Sequence, residues 1–154
     1  MKTVLSLVGR LPKSFKMTRA TLKAAAQSFA ARSSARIGVP FREVAVVLQD
    51  DDASDAVHRA IMGIEGATDV ITQGYEAIPP EPEGVYGELY VNARRALDYA
   101  AAHGTCADDE LLLYVAHGMD HLSGADDHER GERQAMRRRE RAWIRSFKKE
   151  RPDV

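Results

Sequence analysis

Val44 to Leu48 (VAVVL) is an uninterrupted apolar run, too short for a core helix and bounded by polar residues. Such a run reads as a β-strand covered on both faces, the habit of strands in sheets with parallel pairs. A covered strand needs helices to cover it, which commits the chain to a layered α and β architecture. The flanking segments supply both element types. Thr3 to Val8 alternates as a strand does, and Thr18 to Arg32 places Leu22, Ala26 and Phe29 at helical spacing. Asp50, Asp51 and Asp52 offer caps for a helix running to about Met62. Thr68 to Thr72 and Tyr86 to Val91 read as two further strands, separated by a segment that Pro79, Pro80 and Pro82 keep irregular.

Helices dominate the rest. Asn92 caps one from Ala93 to about Ala102, which Gly104 ends. Another starts at Asp108 and runs to Leu122, with Gly124 as its stop, and a last one spans Arg130 to Lys149 with Met136, Trp143 and Phe147 on its core face. The expected fold is α+β: a four-stranded mixed sheet packed by about five helices, in a single domain over residues 1–154.

Net charge is −1, but its distribution is uneven. Glu129 to Arg151 carries ten Lys/Arg against four Glu, while the remainder is acidic. A basic end on an acidic body suits an anionic partner, or else is a solvated helix face. No apolar run approaches the roughly 20 residues of a membrane span. The Val4–Val8 stretch is too short for a secretion signal, and it is followed by Arg10 and Lys13. The lone Cys106 forms no internal disulfide and is expected to be a buried small residue. These features are those of a cytoplasmic protein.

The chemistry is concentrated in His117-Gly118-Met119-Asp120-His121-Leu122-Ser123-Gly124-Ala125-Asp126-Asp127-His128. His117 and His121 stand four apart on a predicted helix, hence on one face. Two imidazoles so placed can share a Zn²⁺, and Gly124 permits a turn that returns Asp126, Asp127 or His128 toward it. Three protein ligands and an open position make a catalytic zinc site. The glutamate that follows the first His in metallopeptidases is Gly118 here, which disfavours peptidase chemistry. Asp120 on the same helix is a base for metal-bound water, a partner fixing a His tautomer, or a solvent-facing acid. His58 and His103 are less informative; His103 suits a helix C-terminus.

This motif resembles the YbeY family signature His-Gly-x-Leu-His-Leu-x-Gly-Tyr-Asp-His, matched at His117, Gly118, His121, Leu122, Gly124 and Asp126. The likeness extends to Val44–Asp52, to Thr68-Asp69-Val70-Ile71, to Gly87-Glu88-Leu89-Tyr90-Val91 and to Ala135-Met136-Arg137 in the closing helix. It implies an α+β domain with a zincin-like His helix and one zinc ion per chain. It also implies a single-strand endoribonuclease acting in maturation of the small-subunit ribosomal RNA 3′ end and in ribosome quality control. The chain departs from the pattern in three places. Asp127 occupies the register of the third His, leaving Asp127 or His128 as the third ligand. Asp120 replaces a Leu, and Met62 falls where the family carries an Arg, with Arg59 one turn earlier. Arg138, Arg141 and Arg145 of the last helix are the expected contacts to the RNA backbone. A ribosome-associated RNA-binding protein with a structural or vestigial metal is the alternative reading.

Overall fold

The computed structural model describes residues 2–64 and 66–152. Nine elements follow in the order β1 (Val4–Val8), α1 (Arg19–Ile37), β2 (Phe41–Gln49), α2 (Asp51–Met62), β3 (Val70–Tyr75), β4 (Val85–Asn92), α3 (Ala93–His103), α4 (Ala107–Leu122) and α5 (Arg130–Glu150). The strands form one sheet in the order β1-β2-β4-β3. β1 and β4 run parallel to β2, and β3 runs antiparallel to β4. This is the mixed four-stranded α+β sheet that the sequence predicts.

The run that anchors the sequence reading is the central strand β2, and its environment is less symmetrical than expected. Val44, Val46 and Leu48 are buried, whereas Ala45 and Val47 are only half-buried. The buried side meets α1 and α4, and one core gathers Leu5, Val46, Leu89 and Val91 of the sheet with Leu22 and Phe29 of α1 and Leu111, Leu112, Val115 and Met119 of α4. α5 closes over α1 and α4: Trp143 stacks on Phe29 and Phe147 meets it edge to face, with ring centroids 6.4 and 6.1 Å away. The opposite face is partly open, with Val4 and Tyr75 exposed.

Several boundaries shift for local reasons. Thr18 caps α1 through Thr21 N–H, but the helix continues past Arg32 to Ile37, where Gly38 takes a left-handed φ of 68°. Asp50 and Asn92 are side-chain caps, as their sequence positions indicate. α4 instead begins behind Cys106, which is exposed rather than buried and makes no side-chain cap. Asp108, expected to start that helix, turns away and accepts the backbone N–H groups of Lys16 and Met17 at 3.0 and 2.9 Å. This ties the loop before α1 to the start of α4.

α4 lies unusually close to the sheet, and two glycines permit it. A Cβ on Gly118 would stand 2.3 Å from Leu89 Cδ2, and one on Gly87 would stand 2.4 Å from Leu122 Cδ1. Each sheet contact thus falls one residue after a histidine of α4. No helix among the described residues is long and apolar enough to cross a membrane.

Candidate metal centre

His117 and His121 lie one turn apart on α4, half-buried, their rings edge to face with centroids 4.4 Å apart. α4 ends at Leu122, and Gly124 adopts a φ of 95°, a left-handed conformation that lets the chain double back. The turn is fastened at both ends. Ala125 N–H reaches the Asp120 carbonyl at 3.3 Å. From α5, Arg133 donates to the carbonyls of Asp127 and His128 at 3.2 and 2.9 Å. The fold-back brings Asp127 Oδ2 to 3.7 Å from His117 Nε2 and 3.4 Å from His121 Nε2, while the two Nε2 atoms are 3.0 Å apart.

The hydrogen bonds behind the rings decide what these three atoms are. His121 Nδ1 faces the Ala125 carbonyl at 3.0 Å, and a carbonyl only accepts, so Nδ1 carries the proton. His117 Nδ1 lies 2.9 and 3.1 Å from the two oxygens of Glu140 and donates to that carboxylate. With each Nδ1 engaged behind its ring, the two Nε2 atoms are left facing each other and a carboxylate oxygen, and in the neutral imidazoles both Nε2 atoms present lone pairs that a cation could share. A tetrahedral zinc with bonds of about 2.0–2.1 Å has ligand-to-ligand edges of about 3.3–3.4 Å. The three separations observed bracket that value, and His117, His121 and Asp127 form the one group among the described residues with the spacing to hold an ion. The donor set of two imidazoles and one carboxylate fits Zn²⁺.

Glu140 is 3% exposed. Burial pushes its carboxyl up from the ordinary range, and the His117 hydrogen bond opposes that shift. For His117, burial lowers the imidazole, but the Glu140 hydrogen bond and the charges of Glu140, Asp69 and Asp127 outweigh it, so His117 stands above the ordinary value.

The structure sorts the other sequence candidates. His128 is not brought to the centre: its side chain is 86% exposed and lies against Asp126 at 3.4 Å. Asp120 requires a correction. Neither solvent-facing nor placed behind a ring, it is fully buried, held by Arg139 through Nε at 3.0 Å and Nη2 at 2.9 Å, with Arg36 at 3.6 Å. The solvent-facing reading of Asp120 is thereby corrected: its carboxylate is committed to the guanidiniums that enclose it. Arg141 lines a cleft that opens beside His117 and Asp127; Arg138 and Arg145 are exposed on α5 but do not line it. Met62, at the end of α2, lines a second groove beside His121, and Arg59 is ion-paired with Asp55 at 3.0 Å. His58 and His103 bond the carbonyls of Gly66 and Tyr99, the latter in the last turn of α3.

Glu140 is the functional residue the sequence reading passed over. It falls on the same helical stripe as Met136, Trp143 and Phe147, all buried. A single acid on an apolar stripe was the available signal.

Comparison with known proteins gives the same picture. The family model described as Endoribonuclease YbeY matches residues 11–148. The chain belongs to that family. Endoribonuclease YbeY of Renibacterium salmoninarum is 32% identical over 114 residues, covering 70% of this chain and 73% of the relative. Its namesake in Micrococcus luteus is 37% identical over 99 residues, covering 61% of this chain and 63% of the relative. A solution structure of a Thermotoga maritima protein superposes with a TM-score of 0.62, covering 96% of this chain and 91% of that one at 24% identity, and so shares the fold.

Proposed function

We propose that this chain is a zinc-dependent endoribonuclease of single-stranded RNA, acting in ribosomal RNA maturation at the small-subunit 3′ end and in ribosome quality control, as a cytoplasmic single-domain protein. Membership of the endoribonuclease YbeY family supports the reaction class. The observation that carries the metal is the convergence of His117 Nε2, His121 Nε2 and Asp127 Oδ2 at ligand spacing, with a hydrogen-bond acceptor behind each ring at Nδ1. These residues would hold one ion per chain. Zinc bound there supplies a Lewis acid for a phosphoryl oxygen and a water of lowered pKa.

The chain's own residues do the positioning. Glu140 keeps the His117 proton on Nδ1 and sets the ring plane. The Ala125 carbonyl does the same for His121, and Arg133 holds the Asp127 turn in place. Such partners behind the ligands orient them and raise their basicity. Arg138, Arg141 and Arg145 give α5 a positive outer surface, which draws in a polyanion.

Metal analysis of protein purified without an affinity tag, paired with cleavage of a single-stranded RNA oligonucleotide, tests this reading. One zinc per chain is expected, with cleavage abolished by chelator and by joint replacement of His117 and His121 with Ala while the circular dichroism spectrum is kept. RNA binding that persists in chelator without any cleavage would replace the enzyme by a ribosome-associated binding protein with a structural metal.

A further inference from the structure

Two depressions meet at the metal centre, and they differ in charge. The groove on the His121 side runs over Met62, Val70, Thr72 and Leu122, and among the described residues its ionisable neighbours are Asp126, Asp127, His121 and His128, with no lysine or arginine lining it. The cleft on the His117 side encloses about 420 Å³ between α3, α4 and α5 and is lined by four arginines: Arg95, Arg133, Arg137 and Arg141. Its acids are largely committed elsewhere. Glu140 accepts from His117, Asp127 belongs to the donor triad, and Asp69 accepts from Val70 N–H at 2.7 Å and from Thr68. Glu110 remains as a carboxylate on the wall.

The arginines are not equivalent. Arg133 is spent on the carbonyls of the ligand turn. Arg95 makes one long contact, 3.4 Å to the Ala67 carbonyl. Arg137 and Arg141 have no hydrogen-bond or ion-pair partner among the described residues, although α5 offers several acids for pairing. They are exposed, stand four apart on one helix face, and sit beside His117 at the cleft wall. Two uncommitted guanidiniums next to a third, in a cleft that ends at a metal centre, match a phosphate-bearing ligand. The planar fork of each pairs two phosphate oxygens at once. The volume suits one nucleotide unit rather than a duplex.

We propose that Arg95, Arg137 and Arg141 form a subsite for the substrate phosphate flanking the one cleaved, so that the RNA strand reaches the metal centre from the α3–α5 side. The assignment rests on the endoribonuclease reading above and adds the direction of approach to it. It also moves the principal contacts on α5 from Arg138 and Arg145 to the adjacent stripe of Arg137 and Arg141.

Fluorescence anisotropy of the zinc-loaded protein with a non-cleavable single-stranded oligonucleotide, across 50–200 mM salt, tests it. Arg137→Ala with Arg141→Ala is compared with Arg32→Ala plus Arg94→Ala. The control removes the same charge from two residues paired with Glu150 and Asp98 outside the cleft. The cleft variant is expected to bind at least about tenfold more weakly. The slope of log K against log salt should flatten by about 0.7, the value for one phosphate contact on a single strand. The control should keep the parent slope, and zinc content should be the same in all three. Equal losses in both variants, or an unchanged slope in the cleft variant, overturn the subsite while leaving the endoribonuclease reading intact if the parent cleaves RNA. A zinc-loaded parent that neither binds nor cleaves RNA overturns both.

Discussion

Replacing Glu140 by Gln separates metal affinity from fold stability, because the structure gives the two effects different signs. The side chain is 3% exposed and its carboxylate faces His117 Nδ1 at 2.9 Å. Glutamine keeps the shape and one acceptor oxygen but loses the charge that holds the imidazole as an Nδ1–H tautomer of high basicity. Losing a partner of this kind costs about 10–100-fold in metal affinity, or roughly 1.4–2.7 kcal/mol. Burial, however, already disfavours the ionised form of Glu140, whose carboxyl is raised above its ordinary range. A neutral isostere removes that desolvation cost, so the metal-free variant should melt no lower than the metal-free parent. Zinc in excess stabilises the folded state in proportion to the logarithm of its affinity. At about 2–4 °C per kcal/mol for a domain of this size, the zinc-induced rise in Tm should shrink by about 3–11 °C. Thermal scans with and without zinc, together with a competition titration against a coloured chelator, read both quantities. An unchanged zinc affinity would refute the orienting role of Glu140. A large drop in the metal-free Tm would show that the residue serves packing instead.

Asp127→Asn should weaken zinc binding by more than about 100-fold, beyond the range set by partners behind the ligands, while His128→Ala should leave stoichiometry at one; equilibrium dialysis distinguishes them. Asp120→Ala strands the buried side of Arg139 and should cost about 3–5 kcal/mol in urea denaturation, whereas a loss under 1 kcal/mol would mean that water replaces the carboxylate. Gly118→Ala forces α4 off Leu89 and should cost about 1–3 kcal/mol, with weaker zinc binding as a second readout of the displaced His helix. Wild-type stability and zinc affinity in that variant would show that Leu89 yields without moving the helix.

The parts of the site that follow from local periodicity were legible in the sequence. His117 and His121 share a face because any helix puts residues four apart together, and Gly124 marks the fold-back because few other residues tolerate its φ. The choice between Asp127 and His128 was not legible. It depends on how the turn is fastened, and the fastening comes from Arg133 on another helix. The burial of Asp120 was hidden for the same reason: its partners, Arg36 and Arg139, are distant in sequence, so nothing local distinguishes an anchored acid from a free one. In the fold, β2 read as covered on both faces because apolar residues run without a break. The open side shows that Ala45 and Val47 tolerate half-burial without polar substitution.

The ligands of the metal centre all precede α5, yet the groups that orient them belong to it. Glu140 sets one imidazole and Arg133 clasps the turn that presents Asp127. During synthesis, the His-bearing segment would therefore leave the ribosome before the residues that orient its candidate ligands. Those residues come into place when the final helix docks through Trp143 and Phe147 on Phe29. On the zinc-dependent reading proposed above, a chain whose last helix is detached would retain every candidate ligand but lose the groups that orient them, and should bind metal more weakly than the intact fold.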